Sequence, residues 1–187
     1  MYDTSDIRKN LKIILDGAPC VVVEFQFVKP GKGQAFTRTK LRNMLTGNIL
    51  ERTFKQGEKF EKADMEERQQ QFLYPEGDKF VFMDTKSYDQ LYLSGEQLGD
   101  ARVFIQDGMM VDVLFWNERP IGVTPPTFVE LKVVETEPGF KGDTSTNTLK
   151  PAKMETGATV GVPLFVNEGD MIRIDTRTGE YVERVKK

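Results

Sequence analysis

Histidine is missing altogether from the 187 residues, and cysteine occurs once, at Cys20. Without imidazole there is no Ser–His–Asp triad and no Cys/His zinc site, and a single thiol cannot close an internal disulfide. Long apolar runs are absent too: nothing approaches the roughly 20 residues of a membrane-spanning helix. The opening Met1-Tyr2-Asp3-Thr4-Ser5-Asp6 has neither the basic nor the apolar block of a secretory signal. A cytoplasmic protein with no membrane association, no metal and no cofactor is expected. No nucleophile–base constellation can be assembled and no pair of carboxylates can be placed across a cleft, so a binding protein is favoured over an enzyme. Cys20, beside Val21, Val22 and Val23, reads as a small buried hydrophobe.

What is present points to a folded β protein. Hydrophobic residues make up 39% and charged residues 29%, the balance of a globular chain. Strand-like runs at Leu11–Ile14 and Cys20–Val28 flank Asp16-Gly17, a strong hairpin signal. Phe36–Leu41 and Ile49–Phe54 flank a second turn at Thr46-Gly47-Asn48. Further strands are expected at Gln69–Tyr74, Lys79–Met83, Val103–Gln106 and Met109–Trp116, with a capping box at Ser94-Gly95-Glu96-Gln97 starting one short helix. Thr124-Pro125-Pro126-Thr127 breaks the pattern, after which Phe128–Glu135, Ala158–Val166, Met171–Asp175 and Glu180–Val185 resume it. Three small β domains are expected, over residues 1–64, 65–127 and 128–187, and four or five short strands with one helix suit an oligonucleotide-binding type of barrel for the second.

Charge is distributed unevenly. Residues 1–64 carry 12 basic against 8 acidic side chains (+4), residues 65–127 carry 5 against 11 (−6), and residues 128–187 carry 9 against 10 (−1). Between positions 29 and 55 the cations Lys29, Lys32, Arg38, Lys40, Arg42, Arg52 and Lys55 meet one carboxylate, Glu51. Period-2 alternation places Arg38, Lys40 and Arg42 on one face of a strand, with Thr37, Thr39 and Leu41 on the other. A phosphate-facing surface on an otherwise acidic protein is one reading; a solvated strand face is the other. The turn before that strand, Lys29-Pro30-Gly31-Lys32-Gly33, leaves Lys32 without side chains on either neighbour. Pro30 presets a turn, and Gly31 and Gly33 can take positive φ.

Several blocks, in order, resemble bacterial elongation factor P: Phe27-Val28-Lys29-Pro30-Gly31-Lys32-Gly33-Gln34-Ala35-Phe36 with Lys40-Leu41-Arg42, then Thr124-Pro125-Pro126, Val129-Glu130-Leu131, Pro138-Gly139-Phe140-Lys141-Gly142-Asp143-Thr144, Lys150-Pro151-Ala152, Val162-Pro163-Leu164-Phe165-Val166, and Asp175 through Val185. The resemblance covers the chain from the first domain to the last residues. It implies an all-β, L-shaped protein of tRNA-like size, with an SH3-like (KOW-type) N-terminal domain followed by two OB-fold barrels. It also implies a monomeric factor that binds the 70S ribosome (rRNA) between the P and E sites and stimulates peptide bond formation at stalled, polyproline-containing sequences by positioning P-site peptidyl-tRNA.

Residue by residue, the resemblance makes Lys32 the tip lysine extended by a lysine-modifying enzyme, framed by Pro30, Gly31 and Gly33. Lys29, Arg38, Lys40 and Arg42 stand behind it as RNA-binding cations. Gly142, Asp143 and Thr144 match a loop near the E-site mRNA codon, although Asp143-Thr144 also reads as an Asx-type turn. Tyr181 and Arg184 match a terminal RNA-contacting block, with barrel packing the other reading of Tyr181. Two alternatives stay open: an elongation-factor-P-like paralogue, against which the intact tip counts, and a general single-strand nucleic-acid-binding barrel protein, against which the −6 middle segment counts.

Overall fold

The structure is a computed structural model that describes residues 1–139 and 148–186. The described chain is built from sixteen strands and one α-helix. They are β1 (Tyr2–Asp3), β2 (Lys12–Leu15), β3 (Ala18–Val28), β4 (Phe36–Asn43), β5 (Ile49–Lys55), β6 (Lys59–Lys62), β7 (Glu66–Glu76), β8 (Lys79–Met83), β9 (Gln90–Ser94), α1 (Gly95–Leu98), β10 (Met110–Trp116), β11 (Arg119–Thr124), β12 (Phe128–Thr136), β13 (Leu149–Met154), β14 (Thr159–Pro163), β15 (Met171–Asp175) and β16 (Glu180–Arg184). They form three sheets, ordered β1-β6-β2-β3-β4-β5, β11-β10-β7-β8-β9 and β14-β13-β12-β15-β16.

Local chemistry accounts for the connections. Asp16 (φ 51°) and Gly17 (φ 78°) both take the left-handed conformation of a two-residue hairpin turn, which pairs Leu15 with Ala18 and Lys12 with Val21. Asn117 and Glu118, also at positive φ, make an equivalent turn between β10 and β11 that no Gly announces. The capping box is formed: Ser94 Oγ accepts from the Gln97 N–H (3.1 Å) and Gln97 Oε1 accepts from the Ser94 N–H (3.0 Å).

Two compact units make up the chain. The first comprises residues 1–68, 92–99 and 113–122. Its main core holds Ile13, Leu15, Cys20, Val22, Leu41, Phe54 and Phe60, with the Phe54 and Phe60 rings 5.0 Å apart. A second cluster, Val21, Met44, Leu114 and Ile121, is flanked by the half-buried Trp116. The second unit comprises residues 69–91, 100–112 and 123–187, and its largest core gathers Leu131, Val133, Met154, Val160, Val162, Ile172 and Ile174, together with Phe104.

The structure corrects the strand expected at Val103–Gln106. Residues Gly99–Val103 form a 3-10 helix, and the Phe104 N–H continues the turn by donating to the Ala101 carbonyl at 3.0 Å. Phe104 and Ile105 are buried, and Val103 half-buried, by the turn and not by a ladder, because a short apolar run fits either geometry equally well. Strands β1, β6, β9, β11 and β13 had no counterpart in the sequence reading.

Candidate functional site

Strand β3 is eleven residues long and changes character halfway. Residues Pro19–Val22 are buried, a bulge follows between Val22 and Glu24, and Glu24, Phe25, Gln26 and Phe27 are all exposed. A bulge adds one residue on one strand and increases local twist, so the outer half of β3 leaves the packed part of the sheet. β4 accompanies it to the last rung, Val28 opposite Phe36, while β5 backs β4 as far as Phe36 opposite Lys55. Three paired strands thus support the loop 29–35.

The C-terminal leg of that loop is tied down. Ala35 is buried, its carbonyl accepts from the Gln56 N–H (3.0 Å), and the Gln34 side-chain amide donates to the Gln56 carbonyl (3.1 Å). What projects is Lys29–Gly33. Gly33 takes φ +112°, a conformation closed to most L side chains, whereas Gly31 does not use positive φ. Lys29, Gly31, Lys32 and Gly33 are exposed, Pro30 is half-buried, and among the described residues no hydrogen bond or ion pair holds the Lys32 ammonium. The result is a clamped base carrying one unencumbered amine.

Behind the tip the expected cations separate. Arg38 is exposed and lies over the Phe36 ring, 5.4 Å from its centroid. Lys40 is exposed and pairs with Glu24 (3.1 Å), its directly opposed residue on β3. Arg42 goes elsewhere: it is half-buried, and its guanidinium fills the space over Gly99, where a Cβ would lie 1.8 Å from Nη1. Gly99 caps the end of α1, and its N–H donates to the Gly95 carbonyl. Arg52 pairs with Glu58 (3.7 Å) and lies over Phe54. The structure therefore adds Glu24 and Glu58 to the carboxylates that these cations meet. The surface presented beside the tip is Lys29, Arg38 and Lys40.

On β16, Tyr181 is opposite Ile174 and packs against the core of the second unit. Arg184 is exposed, stacks over the exposed Phe165 ring at 5.1 Å and pairs with Asp170 at 3.6 Å. Gly142, Asp143 and Thr144 lie outside the described residues. Sequence reasoning passed over Phe36, Glu24 and Phe165 as neighbours of these cations. The Glu24–Lys40 pairing was recoverable from the hairpin by counting back from the turn, since the bulge lies beyond it; the Phe165–Arg184 contact, between a turn residue and a strand that no ladder joins to it, was not.

Other chemistry has little material among the described residues. No group of three or more Cys, Asp or Glu could hold a metal ion, and no helix is long and apolar enough to cross a membrane. Cys20 is buried, and burial, reinforced by the nearby Asp16 charge, raises its thiol above the ordinary range.

A chain of small antiparallel β domains bearing a rigid, lysine-tipped hairpin defines a multi-domain β protein whose distinguishing surface is a cationic projection. Its sequence matches three family descriptions: the elongation factor P KOW-like domain over residues 3–60, the elongation factor P OB domain over 65–123, and the elongation factor P C-terminal domain over 129–184. It is 54% identical to the elongation factor P of Bdellovibrio bacteriovorus over the full length of both chains, and 54% identical to that of Natranaerobius thermophilus over 100% of this chain and 99% of the relative. A solved structure, a eukaryotic translation initiation factor 5A from Methanococcus jannaschii, shares 23% identity with a TM-score of 0.46, over 66% of this chain and 91% of its own. The chain belongs to the elongation factor P family of translation elongation factors, with KOW-like and OB domains.

Proposed function

We propose that this factor acts in the cytoplasm as a monomer, binding the ribosome between the P and E sites. There it stimulates peptide bond formation at polyproline stalls by holding peptidyl-tRNA in a reactive geometry. Ordering the reactants removes part of the entropic barrier without an acid, a base or a nucleophile, so the factor works as a positioning protein and not as an enzyme. Lys32 is the working group, extended by a lysine-modifying enzyme, and Pro30, Gly31 and Gly33 keep its surroundings narrow. Lys29 and Arg38, with Lys40 once it exchanges Glu24 for phosphate, hold tRNA behind the tip. Arg42 supports them from inside the fold. Gly142, Asp143 and Thr144 read the E-site codon region, and Arg184 and Tyr181 contact RNA from the C-terminal domain, Tyr181 mainly by setting the strand. The working domains are 1–64, 65–127 and 128–187.

The observation that carries this reading is the contrast at the hairpin: both legs of the loop are paired or hydrogen-bonded, yet the exposed Lys32 ammonium has no hydrogen bond or ion pair among the described residues. A solvated amine on a rigid mount is arranged to meet something outside the chain. The test is Lys32→Ala in a reconstituted translation system programmed with a polyproline message. Loss of stimulation with an unchanged melting curve is expected; full rescue would refute the mechanism. The intact mass of the Lys32 peptide from native cells identifies the modification.

A further inference from the structure

Residues at the other end of the N-terminal sheet enclose a cleft of about 320 Å³ that the hairpin reading does not use. Its lining includes Arg8, Lys9, Asn10, Lys12, Lys62 and Asp64. Four cations meet one carboxylate there, and the only ion pair among these described residues is Lys62–Asp64, at 3.9 Å. Arg8, Lys9 and Lys62 are exposed and Lys12 is half-buried, so their charge is directed to solvent.

The mount is rigid. Asn10 takes φ +70°, which Asn adopts more readily than most residues, and its N–H donates to the Val22 carbonyl (2.8 Å). The Leu11 N–H closes the corner onto the Arg8 carbonyl (3.2 Å). On the opposite wall the Ala63 N–H donates to the Lys12 carbonyl (3.3 Å), and Ile13 is registered against Lys62. The backbone therefore fixes where the four stems start.

We infer that this cleft binds the sugar–phosphate backbone of RNA as a second contact, separate from the hairpin. A small free anion is best held by buried, converging donors. Long, exposed cations ranged along an open cleft instead suit a polyanion, which they bind by releasing its counterions. The chain's net charge of −3 argues that such a concentration of cations is not a general feature of its surface. Lys12 pairs with Val21, and β3 runs a further seven residues to Val28, so the two cationic surfaces lie roughly 23 Å apart along the strand. One RNA of tRNA size can touch both. The inference rests on the reading that the partner is RNA, but it does not depend on Lys32 or on its modification.

The experiment measures fluorescence anisotropy of labelled, deacylated tRNA against the full chain through a KCl titration. It compares the wild type, Arg8→Gln/Lys9→Gln/Lys12→Gln, and a charge-matched control, Lys79→Gln/Lys86→Gln/Lys153→Gln. The cleft variant is expected to bind about tenfold more weakly, with a log–log salt slope shallower by about 2, and the control by less than about twofold. Arg8→Gln/Lys9→Gln, which leaves the strand residue Lys12 in place, should show an intermediate loss, with circular dichroism verifying the fold. Equal losses in cleft variant and control would overturn the inference by assigning the effect to net charge. Inorganic tripolyphosphate separates the two sources of phosphate: cleft-dependent binding as tight as that of tRNA would make this a small-anion site and overturn the RNA assignment. Lys32→Ala, run in parallel, is expected to keep the cleft-dependent salt slope even where it fails in translation. The two readings thus fail separately.

Discussion

At Gly47, in the first unit, an added methyl group would meet the backbone of a neighbouring element. Gly47 sits in the β4–β5 turn at φ +81°, its N–H donating to the Asn43 carbonyl at 2.8 Å, while Asn43 Oδ1 accepts from the Leu45 and Thr46 N–H groups. A Cβ built there would lie 2.6 Å from Glu96 Cβ and 3.2 Å from the Glu96 carbonyl carbon, so the obstacle includes the backbone of α1 and not merely a movable side-chain end. Two costs follow for Gly47→Ala: about 1–2 kcal/mol for an L residue in the left-handed region and about 1–3 kcal/mol for overpacking.

Gly57, in the β5–β6 turn at φ +84°, has nothing within 4 Å of the same hypothetical Cβ, so Gly57→Ala isolates the first cost. Trp116 is the only tryptophan and flanks the cluster containing Met44, three residues from the substituted turn, so its fluorescence in a urea titration reports this neighbourhood. Gly47→Ala should be destabilised beyond Gly57→Ala by about 1–3 kcal/mol. In a cycle with Glu96→Gly, which itself costs about 1 kcal/mol in the helix, part of that excess should return. Equal midpoints for Gly47→Ala and Gly57→Ala, or strict additivity in the cycle, would refute the packing argument.

Three further outcomes are expected. Reversing the charge of both Arg38 and Lys40 to Glu should weaken ribosome binding and flatten its salt dependence while leaving the fold intact, because the Lys40–Glu24 pair is solvent-exposed and worth at most about 1 kcal/mol; unchanged binding would remove both from the contact surface. The backbone N–H groups of Ser87 and Lys86 hold the Asp84 carboxyl below its ordinary 3.8. The native state therefore binds fewer protons than the unfolded chain, and the stabilisation is complete well above 3.8 and lost as pH falls through the lowered folded value. Asp84→Asn should show a lower urea midpoint at neutral pH and a shallower loss on acidification, and parallel acid profiles for the two proteins would contradict this. Cys20, buried with a raised thiol pKa, should resist Ellman's reagent in the native protein and react once the chain is unfolded in urea; equal rates in both states would place it at the surface.

How far the sequence could be read depended on the range of the interaction. The hairpin tip was legible because Pro30, Gly31 and Gly33 act locally, and the capping box at Ser94 was legible because its four residues satisfy one another. The destination of Arg42 was not. Alternation put it beside Arg38 and Lys40, but the space it fills exists because Gly99, 57 positions later, lacks a side chain. Strand β13 was hidden by Pro151, which argues against a ladder, yet Lys150, Ala152 and Met154 alternate inward and the Pro151 carbonyl still accepts from the Thr136 hydroxyl (3.0 Å). The Val103–Gln106 run failed for a different reason: four residues are too few for periodicity to separate a strand from a buried turn.

The bulge at Val23 links fold and site, and it explains why one strand serves both. Without the extra residue, strict alternation would continue from the buried Val22 along β3, and every second residue out to Val28 would belong on the core side. With it, the pairing slips between Val22–Leu41 and Glu24–Lys40, and four consecutive residues become exposed. The inner half of β3 can then be as apolar as the core requires, while the outer half carries Glu24 opposite Lys40 and Gln26 opposite Arg38, with Phe25 (47% exposed) and Phe27 (62%) on the other side. Rigidity is kept by β4, which remains half-buried to its first residues through Thr37 and Thr39 and is bonded to β5, the Thr39 hydroxyl donating to the Arg52 carbonyl at 2.7 Å. The projection is therefore anchored by one strand and released by the other. Restoring regular pairing by deleting Val23 should turn the outer half of β3 over and misdirect Lys32, even though every residue of the tip is still present.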